Sequence, residues 1–291
     1  MNHLQALSTS LHPRPQALLT PAAIGRAATL ALHDELALSP KPGLVTLVDS
    51  GSHDDMDAHT FMRSLFALRR YFVQIAEAGH AGADFGALER LGVAAEARML
   101  AATGGVNTHR GTIFMLGMLC AAAGAIAREC AREPSTAQLR VALRRHWGDA
   151  LAARSRRPPV LPGGIAARRH GLRGASEEAA LAFPVLFETA VPALAAGLAR
   201  GLTPQQARLD TLFHVMAVLD DSNLAHRGGL AGLHHAQRAA NVFLAHGGAA
   251  RPDGLAAARA IADDFVARRL SPGGAADTLA AACWVLRIGG A

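Results

Sequence analysis

Apolar side chains recur every three or four residues along nearly the whole chain, the period of helices that each bury one face. This pattern predicts helices over about 21–38, 55–78, 84–102, 108–131 and 135–153, and again over about 176–200, 203–220, 229–246, 253–269 and 275–288. Thr20-Pro21 supplies a cap and a first-turn proline for the first of them. Pro184 and Pro192 should bend or divide the 176–200 helix, because proline lacks an N–H and crowds the preceding turn. No segment alternates as a strand does, and no fixed-period repeat is present. The sharpest break, "SRRPPVLPGG" over 155–164, reads as a surface loop within one domain. The predicted fold is therefore all-α: a flexible N-terminal segment over 1–20, then a single compact domain of about ten helices over 21–291.

Composition sharpens this. Hydrophobic residues make up 51% of the chain but aromatics only 4%, and alanine and leucine favour helices over sheets. The net charge of +6 suits an anionic partner such as a polyphosphate or nucleotide. No nucleic acid is expected: the arginines are dispersed and a single tyrosine leaves little for base stacking. No membrane is expected either. The most apolar run, from Thr112 to Ala127, falls short of the ~20 residues that cross a bilayer, and Arg110 and Arg128 bracket it. The first residues lack a signal-type apolar stretch, and Cys120, Cys130 and Cys283 have no zinc spacing, so they read as reduced core thiols of a cytoplasmic protein.

Five polar, glycine-containing junctions carry the candidate chemistry. In "ALSPKPGLVTLVDSGSHDDMDAHTF" (37–61), Lys41 is the one lysine among 29 lysine and arginine residues. Its flanking prolines fix an extended backbone just before Asp49, His53, Asp54, Asp55 and Asp57. Capping and dipole neutralisation account for one or two of these acids; the rest point to a cation such as Mg²⁺. In "TGGVNTHRGTIF" (103–114), Gly104, Gly105, Asn107, His109 and Arg110 precede an apolar helix whose N-terminus suits a phosphate, or else form an ordinary turn. In "RRHGLRGASEEAA" (168–180), Glu178 has an ordinary capping position. In "VLDDSNLAHRGGLAGL" (218–233), paired aspartates at a predicted helix C-terminus oppose the dipole, so Asp221 calls for a metal or Arg227. In "LSPGGAADTLAA" (270–281), Gly273 and Gly274 expose backbone donors, while Asp277 reads as a structural cap.

Taken together and in order, "SPKPGLV", "GSHDDMD", "GGVNTHRG", "HGLRGASEEA", "DSNLAHRGG" and "LSPGGAAD" resemble the triphosphoribosyl-dephospho-CoA synthase family. The likeness extends from about Ala37 to Ala281, and "VDSGSHDDMD" is closer to its malonate decarboxylase branch. Thr46 and Asp49 stand where citrate-type members often carry Asp and Asn, Arg110 where Lys is common, and Ser176-Glu177 where Arg-Gly precedes the glutamate.

The resemblance implies that the 21–291 domain is catalytic. ATP and 3′-dephospho-CoA would give 2′-(5″-triphosphoribosyl)-3′-dephospho-CoA and adenine, the product passing to a separate transferase that modifies an acyl carrier protein. Substitution at the ribose anomeric carbon needs charge neutralisation of the triphosphate, a base and a donor at adenine. It implies Asp55, Asp57, Glu178 and His109 as catalytic candidates, with His53 or His109 as the donor. Phosphate or nucleotide contacts fall to Lys41, Gly104, Gly105, Asn107, Arg110, Arg227, Gly273 and Gly274, and Mg²⁺ to Asp55, Asp57 and Asp221. A homodimer is compatible with this reading. Two alternatives stay open: an all-α Mg²⁺-dependent prenyltransferase, although "DDMD" and "DDSN" lack its D-D-x-x-D spacing, and a non-catalytic helical scaffold of the decarboxylase system.

Overall fold

The computed structural model describes residues 19–130 and 133–289. The expected N-terminal segment over 1–20 lies almost wholly outside them. Twelve α-helices and no strand are found among the described residues. Helix α1 (Pro21–Leu36) is followed by α2 (Ala58–His80), α3 (Phe85–Thr103), α4 (Arg110–Glu129) and α5 (Thr136–Ser155). Then come α6 (Pro162–His170), α7 (Ala175–Ala180), a π-helical turn (Leu186–Ala190), α8 (Val191–Ala199) and α9 (Pro204–Val218). Helices α10 (Ser222–Ala245), α11 (Gly254–Ala267) and α12 (Gly273–Ile288) complete the domain.

The core is built on α4. By length and composition this helix could cross a membrane, yet 67% of its most apolar window is buried within the fold, as expected for a core helix. Close approach to α2 needs residues without a side chain on both helices. A Cβ on Gly79 would lie 2.0 Å from the Ala121 carbonyl oxygen, and one on Gly124 2.0 Å from that of Ala76. Leu68, Phe72 and Ile75 of α2 and Leu116, Leu119 and Cys120 of α4 are buried in this layer. Two buried polar tips tie it together: the Tyr71 hydroxyl donates to the Ile113 carbonyl at 2.8 Å, and the Trp284 indole N–H of α12 to that of Ile24 in α1 at 3.2 Å. Both satisfy a group that would be costly to bury alone.

The departures from the predicted elements have local causes. The 176–200 helix divides into α7, the π-helical turn and α8, with Ala182 and Phe183 at positive φ just before Pro184. The 155–164 break is shorter than expected, because Pro162 starts α6 as a first-turn residue. Helix α10 begins at Ser222, not near 229; Gly229, at φ 61° and ψ −166°, interrupts it. Cys120 and Cys283 are buried, whereas Cys130, expected in the core, is exposed.

Candidate active site

Four of the five junctions meet at one cavity of about 100 Å³. The long loop between α1 and α2 contributes Leu44, Val45 and His53 to its wall. Asn107 to Thr112 line it from the start of α4, and Asn223 from the start of α10. Ser271, Gly273 and Asp277 come from the start of α12, and Glu35 from α1. Glycine permits this convergence at two places. A Cβ on Gly273 would lie 2.1 Å from Asn223 Nδ2, and one on Gly111 would lie 1.9 Å from Asp277 Oδ2.

Asp277 is the carboxylate that the geometry brings forward. Thr112 Oγ1 donates to its Oδ1, and its Oδ2 lies over Gly111. Burial, opposed by the Thr112 bond and reinforced by the nearby Glu35 and Asp221 carboxylates, pushes its pKa up to about 7. A base poised there suits proton abstraction at neutral pH. His109 faces the same cavity and is buried. Its Nδ1 lies 2.6 Å from Ser64 Oγ, while its buried Nε2 has no partner. Burial, then the Lys41 charge, lowers its pKa to about 3, so the imidazole is neutral. Phe61 packs edge-on against the ring at 4.9 Å. Arg110 also lines the cavity, with Nη2 2.6 Å from Glu96 Oε1.

The remaining predicted residues are placed otherwise. Lys41 is 2% exposed and off the cavity wall; its ammonium donates to Glu35 Oε1 at 2.5 Å and to the Glu35 carbonyl at 2.8 Å. Lys41, expected at a phosphate, is thus held in a buried ion pair, since a lysine this deep needs a carboxylate of its own. Asp57 caps α2, accepting from Thr60 N at 2.8 Å and Thr60 Oγ1 at 2.7 Å. Asp55 is exposed, 3.7 Å from His53 Nδ1. Asp221 is not at a helix C-terminus: it caps α10 through Asn223 N and Leu224 N and reaches across to Ala275 N at 3.0 Å. It pins the starts of α10 and α12 together, and burial raises its pKa to about 6.

Glu178 is buried outside the cavity, paired with Arg173 at 3.0 Å, and Arg173 N donates to Asp220. Arg227 ties the α1–α2 loop to the segment before α12, donating to the carbonyls of Ser52 and Arg269 and to His53 Nδ1 at 3.0 Å. Gly104 and Gly105 end α3 at positive φ, away from the cavity wall. Gly274 packs against Asp221 rather than lining the cavity. Thr46 and Asp49 bond to one another, Oγ1 to Oδ2 at 3.1 Å, so these two departures from the citrate-type pattern form one local clasp.

The residues expected to hold Mg²⁺ do not form a shell. Asp55 and Asp57 are exposed, whereas Asp221 is buried and accepts from backbone N–H groups. Among the described residues no group of three His, Cys, Asp or Glu side chains is spaced to hold a metal ion.

Comparison with known proteins agrees with the family resemblance. The family model described as CitG, ATP:dephospho-CoA triphosphoribosyl transferase, matches residues 21–291. A Vibrio cholerae serotype O1 protein is 38% identical over 275 residues, covering 91% of this chain and 88% of its own length. A Pseudomonas syringae pv. syringae protein is 38% identical over 287 residues, covering 97% and 95%. An Acinetobacter calcoaceticus protein is 35% identical over 264 residues, covering 90% and 89%. All three are named "Probable 2-(5''-triphosphoribosyl)-3'-dephosphocoenzyme-A synthase". No solved structure matches. With this coverage, and with four of the motif junctions gathered around one cavity, the chain belongs to the ATP:dephospho-CoA triphosphoribosyl transferase family and is a transferase.

Proposed function

We propose that this transferase joins the ribose of ATP to the 2′-hydroxyl of 3′-dephospho-CoA and releases adenine, giving 2′-(5″-triphosphoribosyl)-3′-dephospho-CoA. The carrying observation is that Asp277 and His109, whose buried Nε2 has no partner, line one cavity whose wall also holds Arg110. Asp277 takes the proton of the attacking hydroxyl as the new bond from O2′ to the anomeric carbon forms. The bond from that carbon to adenine N9 breaks, and His109 donates a hydrogen bond to the departing purine. The departing adenine takes one proton from water at the cavity mouth and Asp277 releases to water the one it took, so the reaction balances. Arg110 meets the polyphosphate, as a charge-assisted donor. The enclosed space is smaller than the ~300–1,000 Å³ of a typical ligand pocket, so it takes the reacting sugar and base edge while both nucleotide tails lie along the mouth.

Mg²⁺ enters this reading as part of the substrate, bound to the phosphates of ATP, and no step is derived through a resident ion. When bound there it would lower the negative charge of the polyphosphate. The product would serve, in the cytoplasm, as precursor of the prosthetic group of a malonate decarboxylase acyl carrier protein, attached by a separate transferase. The likeness of the "VDSGSHDDMD" stretch supports that branch.

The test is a mass spectrum of the nucleotides after incubation with MgATP and dephospho-CoA. Equal amounts of adenine and the triphosphoribosyl adduct are expected. Absence of both, or turnover of a prenyl diphosphate instead, would overturn the reading. Loss of growth on malonate but not on citrate, after deletion of the gene, tests the branch.

A further inference from the structure

His109 is held by more than its own helix. The Thr108 hydroxyl donates to Ser64 Oγ at 2.7 Å, and Ser64 Oγ lies 2.6 Å from His109 Nδ1. Ser64 sits on α2 with no exposed surface and does not line the cavity. A hydroxyl carries one proton and two acceptor sites. Thr108 and His109 are the hydrogen-bond partners found for the buried Ser64 hydroxyl among the described residues; with Thr108 donating to it, Ser64 avoids a buried, unpaired O–H by giving its own proton to Nδ1, which is then bare. The ring proton of a neutral imidazole is left on Nε2. A second observation agrees: His109 lines its cavity together with Glu35 and Asp277, and acidic neighbours favour N–H over a lone pair at the buried, unpartnered Nε2.

We propose that Ser64 and Thr108 are positioning residues that fix His109 in the Nε2–H form, so that it meets the purine as a hydrogen-bond donor and cannot act as its base. This rests on the proposed reaction for the identity of the acceptor, a ring nitrogen of adenine, but the proton position itself does not. Burial and the Lys41 charge, which keep the ring neutral, are consistent with the assignment.

Two measurements test it separately. Nitrogen NMR of the free, histidine-labelled protein reports which ring nitrogen carries the proton. His109 is identified among the 14 histidines as the signal lost in His109→Phe. A protonated Nε2 and bare Nδ1 are expected, with Ser64→Ala disturbing that pattern; a protonated Nδ1 in the unaltered protein would overturn the proposal. The second measurement uses ATP analogues with carbon in place of purine N3 or N7. One of them should lose roughly 10- to 100-fold in kcat with the unaltered enzyme, and no further rate in His109→Phe, because the donor is already gone. Equal rates for both analogues and ATP would overturn the donor role. Ser64→Ala should lower kcat about 10-fold with KM nearly unchanged, since Ser64 does not line the cavity and its side chain hydrogen-bonds to His109 and Thr108. Thr108→Ser should retain the activity that Thr108→Val loses, which covers the case of a Ser64 variant that does not fold. If adenine is never released by the unaltered enzyme, the proposed reaction fails while the NMR result still decides the proton position.

Discussion

Asp277→Asn separates activity from stability in opposite directions. The substitution keeps the shape, and Thr112 can still donate to the side-chain oxygen, but the group no longer ionises. In the fold the Asp277 pKa is raised from 3.8 to about 7, first by burial and then by Glu35 and Asp221. The unfolded chain releases this proton near pH 4, whereas the folded one holds it until about pH 7. Stability contributed by the protonated form is therefore fully present below pH 4 and is lost as pH rises through 7. A rise of that size corresponds to about 4 kcal/mol at pH 8. The carboxyl lines a cavity open to water, which reduces the effect to about 1–3 kcal/mol. Asparagine, neutral at every pH, should thus be more stable than the native residue at pH 8 by a few degrees in Tm, and nearly equal to it at pH 4.

Activity should move the other way, because a general base contributes about 10²–10⁴-fold. The assay pairs adenine release with urea denaturation at both pH values. In the unaltered enzyme kcat/KM should rise with pH through about 7, and Asp277→Asn should flatten that limb. A variant that is no more stable at pH 8, or one that keeps adenine release within about threefold, would refute the assignment.

Three further outcomes are expected. Lys41→Ala leaves the Glu35 carboxylate buried without its cation, so urea unfolding should show a loss of about 3–5 kcal/mol; Lys41→Met combined with Glu35→Gln should recover much of it. Asp221→Ala orphans the N–H groups of Asn223, Leu224 and Ala275 and should cost about 2–4 kcal/mol in the same measurement, with kcat/KM falling as the starts of α10 and α12 part. A chelator should leave the Tm of the free enzyme unchanged while abolishing turnover until MgATP is restored; a shift of several degrees by Mg²⁺ alone would reveal a resident metal.

The helical fold was legible because it depends on local signals: the 3.6-residue period, the Thr20-Pro21 start and the apolar run of α4. The cavity gathers four of the five junctions, whereas Lys41, Glu178 and Asp221 stand off its wall and nothing from 168–180 reaches it. The division of labour among the acids was not legible, because sequence proximity concentrates carboxylates that the fold then disperses. Asp57 becomes a cap, Asp55 faces solvent and Asp221 fastens two helices. The paired aspartates misled because the helix after them was read from Gly229, although Asp221-Ser222 is itself an N-cap signal. Asp277 and Glu35 carried no such signal. One reads as a first-turn acid and the other as a polar residue in a helix, and only the Gly111 gap and the shared cavity give them chemical meaning. Ser64, one serine inside a long helix, has no motif at all; its importance comes from standing opposite a histidine 45 positions away. Glycine-rich and acidic motifs here set the frame in which helix starts approach one another. The groups best placed for chemistry are polar residues enclosed by that frame, where exclusion of water shifts their protonation and fixes their hydrogen bonds.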